Sequence, residues 1–153
     1  MPASTLPAAK LAIVNLLKAA TWPPNAAGLP VAVDYGDPGV NHIEREHVFL
    51  GDTGQDGHSW APYGSLKKEE EYTVKFYVHV ANPGATQQEA TERAFALFGV
   101  VESTLRAQAR TASTTIATGV WSVIVSPDSL AEYNTDQGCA AFIDAHIDIK
   151  ARI

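Results

Sequence analysis

Between Lys67 and Val80 the side chains alternate with a period of two. Tyr72, Val74, Phe76, Val78 and Val80 fall on one side, and Glu69, Glu71, Thr73, Lys75, Tyr77 and His79 on the other. That period belongs to a half-buried β-strand, whose successive side chains point to opposite faces. A strand of this length spans roughly 45 Å, more than a small domain buries. Its charged first half, Lys67 to Glu71, is therefore expected to project beyond the body and to suit a contact between subunits. The last segment repeats the pattern. Ile143, Ala145, Ile147, Ile149, Ala151 and Ile153 face inward, and Asp144, His146, Asp148, Lys150 and Arg152 face outward.

Two further segments carry the helical period. From Leu6 to Ala20, apolar residues at three- and four-residue spacings include Leu6, Ala9, Ile13, Leu16 and Leu17, with Lys10, Asn15 and Lys18 turned outward. Ser4 or Thr5 can cap this helix, Pro7 is tolerated in its first turn, and Trp22-Pro23-Pro24 ends it. Thr86, with Glu89 three residues later, forms a capping box for a second helix, whose stripe is Ala90, Ala94, Leu97, Phe98, Val101 and Leu105. Arg106 and Arg110 suit its C-terminal dipole.

Shorter strands are expected at Val31 to Gly36, closed by the turn Asp37-Pro38-Gly39, at Glu44 to Gly51, and at Gly119 to Ser126 around Trp121, Val123 and Val125. Residues 111–118 read as a polar connector. The glycine- and aspartate-rich stretch Gly51 to Gly64 and the stretch Pro127 to Gly138 read as two long loops. Long loops in small domains are usually functional. The order is α-β-β-β-α-β-β. Neighbouring strands with one polar face imply an α+β two-layer sandwich, a mostly antiparallel sheet with two helices on its apolar side.

The 153 residues suffice for one domain that buries roughly 70% of its unfolded surface. At 46% hydrophobic and 18% charged, the composition is that of a globular domain without internal repeats. The lone Cys139 excludes a disulfide framework and any multi-cysteine zinc site. Eleven Lys plus Arg against 17 Asp plus Glu give a formal charge of −6 and no basic stripe, which argues against specific nucleic-acid binding. The same charge suits a wall that DNA passes without being gripped. No apolar run reaches the ~18–20 residues of a membrane span, and Met1-Pro2-Ala3-Ser4 lacks a basic n-region, so no signal peptide is expected.

The catalytic and phosphate-binding motifs are missing: there is no G-x-x-x-x-G-K-[ST], G-x-G-x-x-G, G-x-S-x-G or H-E-x-x-H. Glu44-Arg45-Glu46-His47 comes nearest to a zinc motif. On a strand, however, Glu44 and Glu46 share a face that His47 does not, so a solvated strand edge is the expectation. His42 and His58 are isolated. His79 and His146 could meet on the outer sheet face beside Asp144 and Asp148, as a metal cluster or, by preference, as a wet or subunit-facing surface. Asp52 to His58 lacks the spacing of a calcium loop. Cys139 is expected to be a small buried residue rather than a nucleophile. Trp60, Pro62 and Tyr63 have no evident core role, and aromatics of that kind anchor interfaces or fold back as a lid.

Five stretches together resemble the tail terminator (tail completion) family of siphophages. They are the first helix ending at Thr21-Trp22-Pro23, the strand Glu44-Arg-Glu-His-Val-Phe-Leu50, the long strand Glu71-Tyr-Thr-Val-Lys-Phe-Tyr-Val-His-Val80, the helix containing Ala90-Thr-Glu-Arg-Ala-Phe-Ala-Leu-Phe98, and the final alternating strand to Ile153. The resemblance covers nearly the whole chain. It implies a structural, non-enzymatic virion protein, made in the host cytoplasm, that needs no cofactor. It also implies a ring of identical copies, typically a hexamer, bound to the tail tube protein on one side and a head-completion or neck protein on the other.

In such a ring, the long third strand and the last strand would contribute Lys67, Glu69, Glu71, His146 and Asp148 to the contact between copies. Asp52, Gln55, His58, Trp60 and Tyr63 of the first loop, with Asp128, Glu132 and Tyr133 of the second, would reach the axial partners. Two other readings compete: a different neck or tail component, such as a head-completion or stopper protein or a tube subunit, and a small-molecule-binding or enzymatic α+β domain.

Overall fold

In a computed structural model, the alternating segment becomes the middle strand of a five-stranded sheet. The structure describes residues 4–25, 28, 30–39, 45–60, 68–82, 86–109, 116, 119–135 and 138–152. Along the chain run α1 (Leu6–Ala19), β1 (Ala32–Asp34), β2 (Glu46–Trp60), β3 (Lys68–Ala81), α2 (Gln87–Ala109), β4 (Val120–Thr135) and β5 (Gly138–Arg152). The sheet order is β1-β2-β3-β5-β4, with β1 parallel to β2 and every other pair antiparallel. This is the expected α+β order.

The core lies between the sheet and the two helices. Ala9, Ile13, Val14 and Leu17 of α1, and Ala90, Ala94, Leu97, Phe98, Val101 and Leu105 of α2, pack on Val48 and Leu50 and on the inward residues of β3 and β5. Phe76 stacks on Phe98 at 5.9 Å between ring centres. Burying each large apolar side chain contributes about 1.5–3 kcal/mol, so this one layer supplies most of the driving force.

The α1 N-terminus is capped from across the fold. Of the two expected caps, Ser4 accepts the Leu6 N–H at 3.1 Å through its hydroxyl, and Thr5 makes no side-chain cap bond of its own. Instead the fully buried Glu70 carboxylate accepts the Thr5 backbone N–H at 3.0 Å, the Thr5 hydroxyl at 2.9 Å, and the Ser4 hydroxyl. Tyr72 shares the Thr5 hydroxyl, and burial, with the Glu70 charge nearby, pushes its phenol up to about 12. Lys10 does not point away from the sheet: it donates to the Gly51 carbonyl at 3.1 Å and lies 4.4 Å from the Tyr35 ring centre. Burial lowers its pKa, against an opposing pull from Asp52.

Two expected loops are largely strand. β2 runs on through Trp60, pairing Gly57, His58, Ser59 and Trp60 with Glu71, Glu70, Glu69 and Lys68. Bulges between Leu50 and Thr53 and between Gln55 and Gly57 take up Gly51, Asp52 and Asp56, while Gly54 and Gly57 pair in register with Thr73 and Glu71. Likewise β4 runs on to Thr135 across a bulge between Pro127 and Ser129. Proline is tolerated there because β4 lies at the sheet edge, where a ladder N–H can be missing. The charged start of β3 therefore does not project alone, since β2 and β5 flank it on both sides. Tyr63 and Lys67, the end of the first expected loop, and most of the 111–118 connector lie outside the described residues.

Gly119 closes the β4–β5 end. Its φ is +91°, its carbonyl accepts the Arg152 N–H at 2.9 Å, and an added Cβ would sit 2.2 Å from the Arg152 carbonyl oxygen. Only glycine fits that approach.

Candidate interaction surface

Strand alternation sends every second residue away from the helices, onto a face that no described helix covers. Register groups the aromatics there. Phe49 of β2 lies opposite Tyr77 of β3, and His79 of β3 lies opposite Phe142 of β5. Ring centres are 5.2 Å apart for Phe49–Tyr77, 5.5 Å for Tyr77–Phe142, 6.3 Å for His79–Phe142 and 6.5 Å for His79–Tyr133 of β4. Gly51 makes room for this, because a Cβ there would lie 2.5 Å from the Tyr77 ring. At the border, His47 is 1% exposed and bonded to Asp34 at 2.6 Å. Such ring pairs add about 0.5–1.5 kcal/mol beyond the area they bury.

Toward the middle of the sheet the same face is charged. The His146 imidazole lies 2.7 Å from Asp128 of β4 and 3.3 Å from Asp148 of β5. The Asp128 hydrogen bond and the two carboxylate charges raise its pKa against a smaller desolvation effect. Thr73 donates to Asp148 at 2.8 Å. At the far end, Lys150 pairs with Glu71 at 3.2 Å and Arg152 with Glu69 at 2.6 Å. The Lys150 ammonium lies 5.9 Å from the ring centre of Trp121.

The face thus gathers Glu69, Glu71, Asp128, Tyr133, His146 and Asp148, drawn from both of the site groups expected from sequence. The ion pairs among them are closed within the chain. Gln55, His58 and Trp60 are placed on β2 opposite Tyr72, Glu70 and Lys68, and Asp52 is exposed on the same strand. Glu132 turns the other way and accepts the Thr91 hydroxyl of α2 at 2.6 Å. The patch residues Phe49 and Phe142 were not singled out in the sequence. Their signal, aromatics at alternate positions of three strands, becomes visible only once the register is known.

Three other expectations are corrected. His79 lies opposite Phe142 and His146 opposite Lys75, so the two histidines do not meet. Among the described residues, no three metal-ligating side chains come together. Glu46 and His47 do not line a solvated edge. Glu46, 2% exposed, pairs with Arg93 of α2 at 2.9 Å and accepts from Asn82 at 3.1 Å. Burial alone would raise the Glu46 pKa, but hydrogen bonds from Arg93, Asn82 and Asn25 and the Arg93 charge outweigh it and hold it below the usual carboxylate value. Cys139 is half-buried rather than buried, with its thiol 3.2 Å from Asn134 Oδ1.

No helix among the described residues is long and apolar enough to cross a membrane. No protein-family model matches the sequence, and comparison with curated proteins returns no match.

Proposed function

We propose that this chain is a structural phage protein that closes into a ring of identical copies, ends the growth of the tail tube, and joins it to the neck of the filled head. The observation that carries the reading is the sheet face that no described helix covers. Its aromatic patch, with Tyr133 exposed and Tyr77, His79 and Phe142 half-buried over the buried Phe49, continues into a charged field and the exposed Trp121. Aromatic patches rimmed by charge are how protein interfaces concentrate binding energy. The α-β-β-β-α-β-β order and the acidic balance support the same reading, since a negative wall lets DNA slide past.

The chemistry is physical. A tube grows because each ring exposes a copy of the surface that the next ring binds. A terminator binds that surface and offers a different one, on which a head-completion or neck protein can dock. The rotational contact that closes the ring leaves both axial faces free.

The test is a growth assay with the cognate tube protein. About one ring per tube end should arrest elongation, and Tyr133→Ala should fold normally yet lose most of that arrest. Unchanged tube lengths with the wild-type protein would remove the reading.

A further inference from the structure

The two sides of the sheet end differently from what a closed monomer needs. Among the described strands, β4 pairs with β5 alone, and β1 covers β2 only at His47, Val48 and Phe49. An edge of unpaired N–H and C=O groups is a template for another strand, and proteins that must stay apart guard it with prolines, bulges and charges. From Pro127 onward β4 is guarded in this way, by the proline, the bulge at Asp128 with its charge, and Glu132. Past the bulge at Trp121, Ser122 to Ser126 pairs in unbroken register and carries neither charge nor proline, and Trp121 and Ile124 are 53% and 55% exposed. On the opposite side, Asp52 to Trp60 of β2 has a described strand partner only in β3.

We infer that the Trp121–Ser126 edge of β4 is the seam at which a second copy of this chain joins, through the distal half of its β2. Two features of the topology fit. The block β2-β3-β5-β4 alternates in direction and has an even number of strands, so β4 runs opposite to β2. A copy rotated about a ring axis therefore presents β2 antiparallel to β4, the more favourable ladder. The two edges also lie at the same height: Gly54 pairs with Thr73, Thr73 with Asp148, and Asp148 with Ile124, so Gly54 and Ile124 end one row of the sheet.

Because each copy offers one edge of each kind, the contact is heterologous and repeats until it closes. A β4–β4 pairing about a two-fold axis would leave the β2 edge unused, and it is the competing outcome. The inference rests on the ring in the functional reading, though not on the tube.

Disulfide trapping decides between them. In a Cys139→Ser background, Ile124→Cys is combined in turn with Asp52→Cys, Gly54→Cys and Asp56→Cys, which allows for the shear of a closing sheet. Oxidation should give a ladder of covalent multimers ending at one ring size for at least one pair, while each single-cysteine protein stays monomeric on a non-reducing gel. A covalent dimer from Ile124→Cys alone, or no ladder from any pair at high protein concentration, overturns the seam.

As a second measure, Ile124→Lys should dissolve the ring with no change in circular dichroism; a ring that persists overturns the seam. The growth assay separates this failure from failure of the functional reading. Rings that arrest tubes without the ladder refute the seam alone, and ladder-forming protein that leaves tubes growing refutes the tube role alone.

Discussion

Arg93 holds three parts of the molecule with one side chain. Its guanidinium binds the buried Glu46 of β2 and reaches the Pro24 carbonyl that follows α1, while its own backbone belongs to α2. Removing one partner of a buried pair leaves an uncompensated charge, so Arg93→Ala should cost about 3–5 kcal/mol in urea unfolding at neutral pH. A loss below about 1 kcal/mol would show that Glu46 is solvated after all. The two titrating sites then pull in opposite pH directions. The Glu46 pKa is depressed, so its contribution is present above its ordinary value of 4.5 and is lost as pH falls through the folded value. The His146 pKa is raised, so its contribution is complete below 6.5 and is lost as pH rises through the folded value. Tm followed across the neutral range should fall on that rise, and His146→Gln should flatten the slope; an unchanged slope would mean that Asp128 and Asp148 do not hold the charged imidazole.

The elements show what local sequence conveys and what it does not. Both helices were legible because their apolar stripes are local signals, as is the Thr86 cap of α2, and β3 and β5 because their alternation is unbroken. The far halves of β2 and β4 were not. Asp52 to Gly57 and Pro127 to Ser129 carry the glycines, aspartates and proline of loops, and only pairing with β3 and β5 overrides that preference. A signal was nevertheless present. A middle strand as long as β3 must satisfy its backbone groups on both sides, so its length called for equally long neighbours rather than for a projection. The same pairing buries Glu70 and lets it cap α1, a contact across 65 residues that no capping motif announces. Glu70→Ala should strand the Thr5 donors and cost about 1–3 kcal/mol, with faster hydrogen exchange confined to α1. Uniform exchange along the chain would contradict that role.

At the scale of the whole molecule, the sheet presents one face to the helices and one outward, and it ends in two unlike edges. Part of this surface was legible: Glu69, Glu71, His146 and Asp148 were expected on the outward side from alternation alone. The aromatic patch was not, because Phe49, Tyr77 and Phe142 come together only through register. The ring-lined face and the β4 edge, which has no described strand partner beyond β5, are the surfaces that the proposed ring on a tube end would use. The most direct measurement is electron microscopy of tubes grown from the cognate tube protein with this protein present. The expected image is a single ring with a central hole on one end of every arrested tube. Bare ends on tubes that keep lengthening, with this protein left as free monomers, would contradict the account.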